Sequence, residues 1–225
     1  MCGRYTQTMS GEEIAASFDL TTAPEPQPRY NIAPSQPISA IAQPVSEREY
    51  RIFQWGLVPS WAKEPAIGNR MINARSETAA EKPSFRAAFK RRRCLIIADG
   101  FYEWKKAAKN GDKKQPYYIQ MEDRSLFGMA GLWEVWESGD GSYLESCTIL
   151  TTEPNELMKP IHNRMPVIVN SQDYDLWLDS TVQKADALQP LLRPFSADEM
   201  QAYPVSMAVN NPRNESVACV EPMTV

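Results

Sequence analysis

The sequence predicts one α+β domain over residues 1–225, rich in strands and carrying short peripheral helices. Three observations predict it. At 225 residues with 43% hydrophobic content, the chain can fill one well-packed core. Its 18 prolines outnumber its 10 glycines, which favours stiff loops over long helices. Apolar runs of strand length recur through the middle of the chain, clearest at 94–98 and 101–105 on either side of Asp99-Gly100.

Ser10 with Glu13 forms a capping box, and Ile14 and Phe18 fall on one helical face, so a short helix starts there and ends near Asp19. Residues 21–37 hold Pro24, Pro26, Pro28, Pro34 and Pro37, which predicts an extended loop without regular structure. Residues 38–45 and 50–57 flank a polar turn and read as a hairpin. Phe85, Ala88 and Phe89 recur at helical spacing within 84–93, with the basic run Lys90-Arg91-Arg92-Arg93 at the favourable C-terminal end. Further strands are expected at 117–121, 126–133, 143–151 and 167–169. Helices are expected at 155–161 and at 171–178, the latter capped by Ser171.

No basic-then-apolar leader opens the chain, and no apolar run approaches the roughly 20 residues of a membrane helix. A soluble, cytoplasmic protein is expected. The four cysteines (Cys2, Cys94, Cys147, Cys219) form no close pair, which argues against zinc, and a reducing cytoplasm argues against disulfides. Net charge is −4, yet residues 86–114 hold ten Lys or Arg against three acids. A single basic face is therefore possible on an acidic protein, as is a solvated helix end and hairpin loop.

Cys2 carries the chemistry. Once Met1 is removed, it presents an amine and a thiol on adjacent carbons, with ordinary pKa values of about 7.7 to 8.0 and about 8.5. The amine condenses with an aldehyde to an imine, and the thiolate then closes a five-membered thiazolidine. Alternatives are an incidental second-position cysteine and an amide-attacking thiol, because Cys2-Gly3 also resembles the start of N-terminal-nucleophile glutamine amidotransferases.

Across nearly its full length the sequence resembles the SRAP family, the SOS response-associated peptidases that crosslink to abasic sites. The resemblance rests on Met1-Cys2-Gly3-Arg4-Tyr5, Arg29-Tyr30-Asn31-Ile32-Ala33-Pro34, Trp55-Gly56-Leu57-Val58-Pro59-Ser60-Trp61 and Ile72-Asn73-Ala74-Arg75-Ser76-Glu77-Thr78. It continues through the block from Cys94 to Lys105 that contains Asp99-Gly100-Phe101-Tyr102-Glu103-Trp104, then Ile161-His162-Asn163-Arg164-Met165-Pro166, and Pro204-Val205-Ser206 with Val209-Asn210.

The resemblance implies a curved, mostly antiparallel, barrel-like sheet. It implies capture of abasic sites in single-stranded DNA by Cys2, with Asn73 holding the terminus or the sugar oxygen. Glu103 would act as proton shuttle and His162, the single histidine, as the second acid–base group. Arg4, Arg75 and Arg164 would clamp phosphates, and Trp61 with the Pro34 loop would support an unstacked base. Ala62 follows Trp61 where some relatives carry a second aromatic. Strand cleavage by elimination would be minor while the thiol is present. No cofactor or metal is implied, and a monomer is expected. A cysteine peptidase, or a non-catalytic module for single-stranded DNA, is the alternative function.

Overall fold

A computed structural model describes residues 2–106 and 113–223. In chain order the strands are β1 (Tyr5–Gln7), β2 (Arg29–Ile32), β3 (Pro37–Ala42), β4 (Glu49–Trp55), β5 (Asn73–Arg75), β6 (Arg93–Ala98), β7 (Gly100–Lys105) and β8 (Gln115–Met121). They continue with β9 (Phe127–Glu137), β10 (Tyr143–Thr152), β11 (Met165–Pro166), β12 (Ile168–Val169) and β13 (Met200–Pro204). The helices are α1 (Gly11–Phe18), α2 (Ser76–Ala79), α3 (Arg86–Arg91), α4 (Tyr174–Leu178) and α5 (Ala185–Leu188).

Five strands close a barrel. β4 pairs with β3, β3 with β6, β6 with β9 and β9 with β10, all antiparallel, and a parallel contact of β10 with β4 at Cys147 and Trp55 completes the ring. Alternation along each strand separates two cores. Ile38, Ala40, Phe53, Trp55, Cys94, Ile96, Met129, Cys147 and Ile149 share one cluster. Ile41, Leu95, Ile97, Ala130, Leu132 and Leu150 face the other way, against Ile14 and Phe18 of α1, Phe89 of α3 and Trp177 of α4. The space inside so small a ring is tight. A Cβ on Gly131 would come within 2.8 Å of the Cys94 sulfur, so a glycine is needed there.

A second sheet, ordered β13-β8-β7-β1-β2, packs against the barrel. Tyr5, Ile32, Phe101 and Ile119 join the barrel cluster, while Tyr102 and Tyr118 face outward onto Val205, Val209 and Cys219. Gly100 lets the Tyr118 ring lie across β7, since a Cβ there would sit 2.1 Å from the tyrosine oxygen. The Tyr118 hydroxyl then meets the Thr6 hydroxyl at 2.8 Å, and Thr8 donates from both its amide and its hydroxyl to Asp99.

The curved, mostly antiparallel sheet and its short helices agree with the sequence expectation. The capping box forms as read, with the Ser10 amide donating to Glu13 at 2.8 Å and Asp19 ending α1 in the left-handed region. Four details differ. Residues 29–32 form the edge strand β2, because Pro28 and Pro34 bracket this stretch without interrupting it. Residues 155–161 make turns instead of a helix. The Met158 and Lys159 amides both donate to the Asn155 carbonyl, but Pro160 brings no N–H to continue the ladder. Ser171 caps no helix: residues 171–173 form a 3-10 turn leading into α4, capped by Asn170, whose side chain accepts from the Gln172 amide at 3.1 Å.

The basic stretch is the fourth. Arg93 is buried, donating to the carbonyls of Phe89, Lys90, Trp177 and Asp179, and Arg92 pairs with Glu134 at 2.6 Å. Arg86, Lys90, Arg91, Lys105, Lys106, Lys113 and Lys114 are exposed. Lys109, like Met1, lies outside the described residues.

Candidate functional site

The site forms where the N-terminus meets the inner face of β7. Phe101 and Glu103 point toward the barrel, whereas Tyr102 and Trp104 point outward, their polar atoms bonded to the Tyr30 carbonyl and the Asn210 side chain. Glu103 is thereby buried, with 2% of its surface exposed. The Tyr102 amide donates to the Arg4 carbonyl at 2.9 Å, extending the β1–β7 ladder back toward Cys2. Cys2 is fully buried in the barrel cluster, its sulfur 4.0 Å from the Arg4 carbonyl.

Asn73 reaches Cys2 from a different part of the chain. It opens β5, which pairs in parallel with β10 at Ile149, and its Nδ2 donates to the Cys2 carbonyl at 2.8 Å. Its Oδ1 is buried without a hydrogen-bond partner among the described residues, leaving an acceptor on the side chain that holds Cys2. His162 ends the turn after β10, where its amide donates to the Met158 carbonyl, and its Nδ1 lies 3.8 Å from Oε1 of Glu103. Cys2, Asn73, Glu103 and His162 are thus brought together from four separate segments.

Burial dominates the electrostatics. It pushes the Cys2 thiol well above its ordinary value, and the neighbouring Glu103 charge pushes the same way, so the thiol is protonated in this state. Burial also raises the Glu103 carboxyl, with His162 opposing. A buried carboxyl beside an imidazole is an arrangement that can hold and pass a proton.

The three arginines differ. The Arg4 guanidinium faces the C-terminal segment, donating to Asn31 Oδ1 at 2.8 Å and to the Val209 carbonyl at 2.7 Å. Arg164 forks onto Glu77, with Nη1 to Oε1 at 2.5 Å and Nη2 to Oε2 at 2.9 Å, and also donates to the Thr151 carbonyl. Arg75 is exposed. Trp61 is 59% exposed and therefore is not core, while Pro34 is half-buried in a turn whose next residue, Ser35, is left-handed.

Sequence reasoning missed Asn31 and Glu77. Both lie in motif blocks, Asn31 next to Tyr30 and Glu77 two residues after Arg75, but only the fold reveals which arginine each one holds. Among the described residues, no group of three or more His, Cys, Asp or Glu could hold a metal ion. No helix among them is long and apolar enough to cross a membrane.

A family model described as SOS response associated peptidase (SRAP) matches residues 1–212. The abasic site processing protein YoqW of Bacillus subtilis is 45% identical over 224 residues, covering 98% of this chain and 99% of that one. The abasic site processing protein YedK of Escherichia coli is 30% identical over 99% of this chain and 100% of its own. The abasic site processing protein HMCES of Xenopus tropicalis is 36% identical over 78% of this chain and 58% of its own. An X-ray structure of a Bacteroides thetaiotaomicron protein superposes with a TM-score of 0.88 at 27% identity, covering 99% of this chain and 100% of that one.

Proposed function

The chain belongs to the SOS response-associated peptidase family, and from that premise we propose that it captures abasic sites in single-stranded DNA as a thiazolidine crosslink through Cys2. The observation that carries this reading is the Asn73 bond to the Cys2 carbonyl, beside a buried Glu103 and His162. The names of the relatives, abasic site processing proteins, support the same substrate.

After loss of Met1, the Cys2 amine attacks the aldehyde of the ring-opened deoxyribose and water leaves, giving an imine. The Cys2 thiol then adds to the imine carbon and its proton passes to the nitrogen, closing the ring. Glu103 protonates the departing oxygen, and His162 returns the proton. Asn73 keeps the terminus in line with the sugar. Arg75 and Arg164 take the flanking phosphates, Arg4 braces the segment between Cys2 and β1, and Trp61 with the Pro34 turn takes an unstacked base. The chain works as a monomer without cofactor or metal. Cleavage of peptides, including Met1 by self-processing, is a lesser activity of the same thiol.

Incubation with single-stranded DNA bearing one abasic site tests the proposal, with intact mass as the readout. A heat-stable adduct on protein lacking Met1, lost in Cys2→Ala, is the expected result. No adduct from the wild type overturns it.

A further inference from the structure

We infer that Glu77 is an internal competitor for the DNA phosphate, its carboxylate occupying an anion site built by Arg164 and Arg75 that a bound strand must take over. This rests on the reading that the chain binds single-stranded DNA.

The geometry is that of a guanidinium engaged by a two-oxygen anion, with Arg164 Nη1 and Nη2 on the two Glu77 oxygens at 2.5 and 2.9 Å. A phosphate presents the same pair of acceptors. The two partners are not equally fixed. The Arg164 side chain is 16% exposed and the Glu77 side chain 48%. Arg164 is also anchored independently, by Nη2 on the Thr151 carbonyl and by its backbone amide on His162 Nδ1 at 3.1 Å. The carboxylate can therefore swing into solvent while the guanidinium stays.

Arg75 completes the site. It is exposed, two residues before Glu77 in the chain. The Glu77 carboxyl is held below the usual carboxylate range, mainly by Arg164, with a smaller contribution from Arg75. Both cations implied as phosphate clamps thus act on one carboxylate when no DNA is bound. A strand that displaces it gains one phosphate contact and frees one acid, so net affinity for undamaged DNA stays low.

The test is equilibrium binding of an undamaged single-stranded oligonucleotide across a salt series, with wild type, Glu77→Gln and Glu77→Ala. Neutralising Glu77 is expected to tighten binding about 5-fold at low salt, within the range of an exposed ion pair. It should also steepen the log–log salt dependence by about 0.7, the value of one phosphate on a single strand. Glu81→Gln, which removes a nearby exposed acid, should leave the slope unchanged.

Inorganic phosphate provides a DNA-free arm. It should raise the melting temperature of a folded neutral variant more than that of wild type. If neither variant that folds gains DNA affinity, slope or phosphate stabilisation, the competitor role is overturned. Absence of wild-type adduct with abasic DNA defeats the crosslinking reading instead, and the phosphate arm still decides the role of Glu77.

Discussion

Nδ1 of His162 faces Oε1 of Glu103 at 3.8 Å and is shared with the backbone of Arg164, whose amide lies at 3.1 Å and carbonyl at 3.2 Å. The Arg164 amide donates to Nδ1, which fixes the imidazole beside the carboxyl.

Glu103 is expected to trade stability for chemistry. Burial favours its protonated form in the folded state. Its favourable contribution is thus complete below the ordinary carboxylate pKa of about 4.3 and is lost as pH rises through the raised folded value. Glu103→Gln should melt higher than wild type at pH 7, by about 2 to 4 °C for each kcal/mol relieved. The difference should vanish as pH falls toward 4. Crosslinking should slow about 100-fold or more. Thermal melts at several pH values and adduct time courses check both.

Asn73→Ala removes the bond to the Cys2 carbonyl and is expected to cost about 1 kcal/mol of stability. Its effect on adduct formation should be larger, because the attacking amine loses its alignment. Denaturant melts and single-turnover crosslinking separate the two.

Cys2→Ser keeps the amine but removes the sulfur that closes the ring. The imine then persists, and loss of the 3′ phosphate by elimination competes without opposition. More strand cleavage and less heat-stable adduct than wild type are expected on denaturing gels.

Much of the barrel was legible because apolar runs of strand length, such as 94–98 ahead of Asp99-Gly100, mark strands buried on both faces, and the fold sends Cys94, Ile96 and Ala98 to one cluster and Leu95 and Ile97 to the other. Its closure was not, since the parallel β4–β10 contact joins residues about 90 positions apart with no local turn to announce it. At the site, Cys2, Asn73, Glu103 and His162 were readable as chemical types within motif blocks. The pairing of Arg164 with Glu77 was not, because a surface arginine has many acids within sequence reach. Arg93 illustrates the same limit: from composition it reads as one more exposed cation.

Arg93→Ala should accordingly be among the most destabilising changes on the chain. Its guanidinium satisfies carbonyls at the ends of α3 and α4, and removing it takes this donor from the buried Phe89 and Trp177 carbonyls. A loss of about 3 kcal/mol is expected, with little rescue by lysine, which lacks the fork. Arg91→Ala, on an exposed position, should be nearly neutral in the same melts.

Trp61→Ala should leave the melting temperature unchanged while weakening binding to single-stranded DNA by about 1 to 3 kcal/mol, the worth of one base–aromatic stack.

The dependence of Cys2 on β5, and of β5 on β10, sets an order of events during synthesis. Cys2 leaves the ribosome before both the strand that seats Asn73 and the turn that brings His162, which follows some 150 residues later. At about 5 to 20 residues per second, that gap lasts roughly 8 to 30 s. Under the proposed loss of Met1, a nascent chain would carry Cys2 over this interval as an unguarded aminothiol, open to any small aldehyde in solution. On the proposed reading, closing the barrel is then the step that buries the Cys2 thiol and reserves it for its target.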